Sequence, residues 1–208
     1  MSSPKYFLYV KFSTSKLTDL INLLIFLSDP KEKNGLHLTL RGPYTQRVLT
    51  ESEEMFSRIR RELFKTKVSV FGLGNFFKYG QSTLYLRAES DLVSKYLWKK
   101  NIKKPIPHLT IYDGASKEFS NRLANTLSLY RFFFELQIDK VDVYSTISGQ
   151  KSMELAFDLN LDLLLEVTGK RYKYEDFRDM KEWERLMLIN RICPRIEYEV
   201  SNMRIINT

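Results

Sequence analysis

Apolar residues along this chain switch repeatedly between a spacing of two and a spacing of three to four. Phe7-Leu8-Tyr9-Val10-Lys11-Phe12 reads as a strand. Ser13 or Ser15 stands where a helix cap is needed, and Leu17, Leu20, Ile21 and Leu24 then follow helical spacing. A short strand, His37-Leu38-Thr39-Leu40, comes next. Thr50-Glu51-Ser52-Glu53 has the form of a capping box, opening a helix with Met55, Phe56, Ile59 and Leu63 on one side. Val68-Ser69-Val70-Phe71 and Thr83-Leu84-Tyr85-Leu86 are strands joined by a Gly-rich aromatic connection, residues 72–80. Its glycines permit unusual dihedrals. They are not a dinucleotide fingerprint, because no helix follows the G-x-G.

The second half repeats this order. A helix from about Asp91 to Lys100 precedes the strand His108-Leu109-Thr110-Ile111, and another runs from Lys117 to about Tyr130 on Phe119, Leu123 and Leu127. Residues 134–146 alternate as a long strand with a break at Asp139-Lys140. Ser148-Gly149-Gln150 turns the chain, and Leu155, Phe157, Leu159 and Leu161 predict an antiparallel return. From about Leu163 the pattern changes. Tyr174 to Ile192 reads as a helix with Phe177, Met180, Trp183 and Met187 in one stripe, and Arg195 to Ile206 as an edge strand around Ile196, Tyr198 and Val200. Residues 1–162 are thus expected to form the main domain, and residues 163–208 a helix-plus-strand extension packed on it.

The two short strands carry the chemistry. The chain has two histidines, and both begin a His-Leu-Thr-aliphatic tetrapeptide. Residues i and i+2 of a strand share a face, so each imidazole stands beside a Thr hydroxyl. Two imidazoles suit acid–base work on a phosphodiester, one accepting a proton and the other donating one near neutral pH. Thr39 and Thr110 would hydrogen-bond the non-bridging oxygens. Turn chemistry follows both strands: Arg41-Gly42-Pro43-Tyr44 and Tyr112-Asp113-Gly114. Arg41 is the nearest phosphate clamp, a solvent-facing position being the alternative. Tyr44, Phe76, Phe77, Tyr79 and Tyr112 lie on connections where they could stack a base or simply pack a loop.

Composition narrows the partners. With 33 Lys and Arg against 25 Asp and Glu, the net charge of +8 favours a polyanion. The basic run at residues 99–104 leads directly to His108, and either steers phosphate or is solvated surface. Hydrophobic residues at 43% and aromatics at 13% suit a real core within 208 residues. Leu20 to Leu27 is too short to span a bilayer, no signal-peptide pattern is seen, and no membrane role is expected. The single cysteine, Cys193, excludes an intrachain disulfide and favours a reducing, cytoplasmic setting. Two histidines with no recurring carboxylate make a poor metal site, so neither a metal nor a cofactor is expected.

On Gly35-Leu36-His37-Leu38-Thr39-Leu40 and Pro107-His108-Leu109-Thr110-Ile111, the chain resembles the two-histidine phosphoesterases, which include RNA 2′,3′-cyclic phosphodiesterases historically called 2′-5′ RNA ligases. The resemblance covers about residues 5–162. It implies an α+β, bilobal fold: two pseudo-symmetric antiparallel-sheet lobes with flanking helices around a central cleft. It also implies metal-independent hydrolysis of 2′,3′-cyclic phosphate or 2′-5′ bonds in an RNA end or small nucleotide. Catalytic roles then fall to His37, Thr39, His108 and Thr110. The same residues would serve a hydrolase of a signalling oligonucleotide, and a non-catalytic RNA-binding module is the rival outside enzymology. Residues 163–208 have no counterpart in the minimal family domain. The oligomeric state stays open.

Overall fold

Six strands pair edge to edge until the sheet meets itself. The structure is a computed structural model that describes residues 5–31, 34–44, 53–97, 106–146 and 159–206. Within these, β1 (Lys5–Phe12), α1 (Lys16–Ser28), β2 (His37–Tyr44), α2 (Glu53–Leu63) and β3 (Lys67–Asn75) are followed by β4 (Leu84–Glu89), α3 (Asp91–Tyr96), β5 (His108–Tyr112), α4 (Lys117–Leu127) and β6 (Phe133–Thr146). The second set repeats the order of the first. Every pairing is antiparallel, in the closed order β1-β2-β5-β4-β3-β6. The halves exchange their last strands: β3 pairs with β4, β6 pairs with β1, and β3 on β6 closes the ring. The chain is therefore α+β, with one antiparallel sheet closed as a barrel.

Local sequence accounts for the helix that supports the site. Ser15 caps α1, its hydroxyl accepting from the Thr18 amide at 3.1 Å while the Thr18 hydroxyl accepts from the Ser15 amide at 2.7 Å. This reciprocal pair satisfies two amides that helix geometry leaves over. Beyond it, α1 buries Leu17, Leu20, Ile21 and every residue from Leu23 to Ser28, leaving only a narrow polar stripe at Asp19 and Asn22, as a helix held between two layers does. It lies between β5 and the long C-terminal helix. The capping box expected at residues 50–53 falls partly outside the described residues, as does the start of the strand expected at residues 155–161; the described end of that strand, Leu159 to Leu161, is not strand.

The C-terminal region departs from its sequence reading. It consists of α5 (Asp162–Thr168), a 3₁₀ turn at Tyr174–Phe177, and α6 (Glu182–Ile206), 25 residues long. The expected edge strand from Arg195 is helix. Alternation would have put Ile196, Tyr198 and Val200 on one face, but Ile196 and Val200 are 0% and 6% exposed and Tyr198 is 52% exposed. Ile189, Ile192, Cys193, Ile196 and Val200 instead form a buried line at spacings of three and four, against α1. Pro194 inside the helix cannot donate to the Asn190 carbonyl, and that oxygen accepts from the Tyr130 hydroxyl at 3.4 Å. The expected apolar stripe is also divided. Phe177 is buried in the 3₁₀ turn, whereas Trp183 and Met187 are exposed on α6, because the helix begins after Phe177 and Met180.

One hydrophobic cluster runs from Leu8 in β1 to Val200 in α6. Cys193 lies within it, and burial, helped by Glu197, pushes its thiol up to about 12. It is a packing residue and not a nucleophile at neutral pH. No described helix is long and apolar enough to cross a membrane.

Candidate active site

The two His-x-Thr strands are neighbours. β2 and β5 pair antiparallel through Leu38 and Leu109, both fully buried. That register sets His37 beside Thr110 and Thr39 beside His108, all four on the face opposite the buried leucines. His37 and Thr110 accordingly line one small pocket of about 10 Å³, room for about one water. The repeat seen in the sequence therefore becomes a single constellation, in which each histidine is flanked by the threonine of the other motif.

Both imidazoles are held alike. His37 Nδ1 lies 2.8 Å from the Gly35 carbonyl, and His108 Nδ1 lies 2.9 Å from the Ile106 carbonyl. A carbonyl oxygen only accepts, so Nδ1 is the donor in each ring. In the neutral rings this places the lone pair on Nε2, and Nε2 becomes the nitrogen that exchanges protons. The backbone upstream of each histidine aims that carbonyl. Gly35 takes a left-handed φ of +60°, and Ile106, preceding Pro107, is biased toward extended backbone.

The duplication extends to the flanking strands. In β1, Tyr9 pairs with Thr39 and Lys11 with His37; in β4, Tyr85 pairs with Thr110 and Arg87 with His108. Each threonine therefore faces a tyrosine, and each histidine faces a cation. The Tyr9 ring stacks on His37 with centroids 4.0 Å apart. His108 sits against Tyr85 at 5.1 Å and edge-on to Phe76 at 5.4 Å. Gly74 lies opposite Tyr85, and a Cβ there would fall 2.4 Å from the Tyr85 ring, so glycine is what lets that ring lie across β3. Sequence reasoning missed these four residues. The signal was present as Leu8-Tyr9-Val10-Lys11 and Leu84-Tyr85-Leu86-Arg87, a second repeat hidden inside ordinary strand patterning.

Two matching bulges decide which side chains leave this face. Leu8 pairs with Arg41 although Tyr9 pairs with Thr39, and Leu84 pairs with Tyr112 although Tyr85 pairs with Thr110. One extra residue after each Thr turns the next side chain to the opposite face. Arg41 consequently does not join the histidines. Its Nε donates to the Tyr96 carbonyl at 2.8 Å, and Nη1 lies 3.6 Å from the Met55 sulfur. Tyr112 is buried edge-on to Phe119, with its hydroxyl accepting from the Ser116 amide at 3.1 Å. Arg41→Ala is therefore expected to cost about 1–3 kcal/mol of stability, since it strips a donor from a backbone carbonyl, while changing turnover by less than about threefold. Denaturant unfolding alongside steady-state kinetics checks both; unchanged stability with a hundredfold slower reaction would return Arg41 to the site.

The other aromatic candidates divide as well. Phe76 touches His108 directly. Tyr79, mostly exposed, lies 6.3 Å from Phe76 and beneath the Lys78 ammonium. Phe77, which shares with Tyr79 a 3₁₀ turn at Phe77–Tyr79, packs toward the core. Tyr44 ends β2, seven residues beyond His37, which separates the two by roughly 20 Å along the strand. The electrostatics of the face are positive near His37. Lys11 pairs with Lys140 on its other side, and Asp142 stands one step along, opposite Tyr9. Burial lowers the Lys11 ammonium below its ordinary value, while Asp142 opposes that shift and Lys140 adds to it.

No known protein family matches this chain, and no curated protein matches it either. Among the described residues, no three His, Cys, Asp or Glu side chains are grouped so as to hold a metal ion.

Proposed function

We propose that this chain is a two-histidine phosphodiesterase of bilobal design, hydrolysing 2′,3′-cyclic phosphate or 2′-5′ bonds in RNA ends or small nucleotides. The observation that carries the reading is the shared geometry of His37 and His108. Each ring is locked through Nδ1 to a carbonyl two residues upstream, and each is flanked by the other motif's threonine. Packing alone gives no reason for two half-buried histidines to be oriented identically. Proton transfer does, because it requires a fixed Nε2.

In the mechanism, a neutral histidine accepts through Nε2 the proton of a water attacking phosphorus. The protonated histidine donates from Nε2 to the departing ribose oxygen. Thr39 and Thr110 donate hydrogen bonds to the non-bridging oxygens as their charge grows. Lys11 and Arg87, opposite the histidines, make the face attractive to a phosphodiester. The approximate two-fold relation of the halves lets either histidine take either role, and the orientation of the bound nucleotide selects between them.

The test is incubation of the purified protein, with chelator present, with 2′,3′-cyclic mononucleotides and 2′-5′-linked dinucleotides, followed by product analysis. Phosphomonoester products are expected. Intact substrates across the whole panel would refute the reading and leave an RNA-binding role. The pH dependence follows from the same chemistry. Because one ring must be neutral and one protonated, kcat/KM is expected to trace a bell whose limbs belong to the pair. A profile flat from about pH 5 to 9 would contradict it.

A further inference from the structure

We infer that the C-terminal region builds a second-nucleoside pocket beside the candidate catalytic face, making the chain selective for oligonucleotides over mononucleotides. This rests on the phosphodiesterase reading above. A pocket of about 580 Å³ lies where α1 ends, where β5 turns toward α4, and where residues 174–185 cross between them. That volume is in the range of small-molecule sites. The small pocket containing His37 and Thr110 reaches around the end of β5 to Asp29 and Tyr112, and these two residues also wall the larger pocket. The bulge that turns Tyr112 off the histidine face is what places it in this shared wall.

The lining has the chemistry of a nucleoside with a phosphate. Tyr174 packs its ring 5.4 Å from Phe26, giving an aromatic wall against which a base can stack. Lys31, Arg178 and Arg185 supply cations, against the carboxylates of Asp29 and Glu182. Arg185 has an unusual position. Its Nη1 donates to the Leu27 and Ser28 carbonyls at 3.0 and 2.8 Å, while its buried Nε has no hydrogen-bond partner among the described residues. The guanidinium also lies 4.7 Å from the Phe119 ring centroid, so Arg185 is fixed in the pocket wall. The other end of the candidate catalytic face, at His108, carries Phe76, with Tyr79 beside it. A substrate with two nucleosides would then meet an aromatic surface on each side of its phosphate.

The experiment compares adenosine 2′,3′-cyclic phosphate with the dinucleotide ApA ending in a 2′,3′-cyclic phosphate. Both undergo the same reaction, and the dinucleotide alone has a second nucleoside. Wild type is expected to favour the dinucleotide at least tenfold in kcat/KM. Tyr174→Ala, and Arg178→Ala at an exposed position that tolerates substitution, are expected to lower that ratio about tenfold. Trp183→Ala, outside the pocket, should leave the ratio at its wild-type value. Equal use of both substrates by wild type, or variants that keep the wild-type ratio, would overturn the inference. If neither substrate is hydrolysed, the catalytic reading fails and calorimetry decides the pocket. The dinucleotide must then bind at least tenfold more tightly than the mononucleotide, with Tyr174→Ala and Arg178→Ala removing the difference. Equal affinities would overturn it.

Discussion

His37→Ala and His108→Ala are each expected to lower kcat/KM by a factor on the order of 10² or more on a 2′,3′-cyclic or 2′-5′ phosphodiester substrate, while the fold survives. The asymmetry follows from where the rings sit. Both histidines begin their strands on the half-buried face, and the leucines that hold the β2–β5 contact point the other way. Truncating either ring removes an imidazole from a surface and leaves the core untouched. Each ring meets one backbone carbonyl through Nδ1 and has aromatic rings beside it. The measurement is steady-state kinetics on each variant with thermal unfolding as control. Wild-type rates in both single variants would remove the histidines from the chemistry. Near-total loss in one and little change in the other would leave one of them as the acid–base group and end the two-role scheme.

Truncation after Asp162 is expected to abolish folding. Leu188, Ile189, Ile192, Ile196 and Val200 of α6 are all buried, and burying such a side chain is worth roughly 2 kcal/mol. Together they contribute on the order of 10 kcal/mol, comparable to the whole stability of an ordinary domain. The loss also strips cover from α1, nearly all of whose apolar side chains are buried. Circular dichroism and a cooperative melting curve test this; a truncated protein that melts like the full chain would show that α6 is dispensable. Two point variants grade the effect. Ile192→Ala is expected to cost about 2–5 kcal/mol, as a fully buried aliphatic does, and Trp183→Ala less than about 1 kcal/mol, since Trp183 is 52% exposed.

Much of this was readable from the chain. The strands β1 to β6, the helices α1, α3 and α4, and the pairing of two His-x-Thr motifs all follow from apolar period and from one repeated tetrapeptide. These are local properties: side chains of a strand alternate and those of a helix return every three or four residues, whatever lies across from them. Which residues share the site was decided elsewhere. Tyr9, Lys11, Tyr85 and Arg87 belong to it because register across the sheet puts them opposite the motifs. Arg41 and Tyr112 leave it because a single extra residue reverses a side chain. The tail shows the same limit. Ile196, Tyr198 and Val200 alternate like a strand, but over so short a span Ile196 and Val200 also share one face of a helix. Contact with α1 settled the matter, since burying Ile189, Ile192, Ile196 and Val200 together is possible only at helical pitch, and the carbonyl that Pro194 cannot serve found Tyr130. Sequence by itself determined most of the elements and the repeated His-x-Thr motif. Only the tertiary structure decided how those elements face one another, because register, bulges and buried contacts depend on residues far apart in the chain.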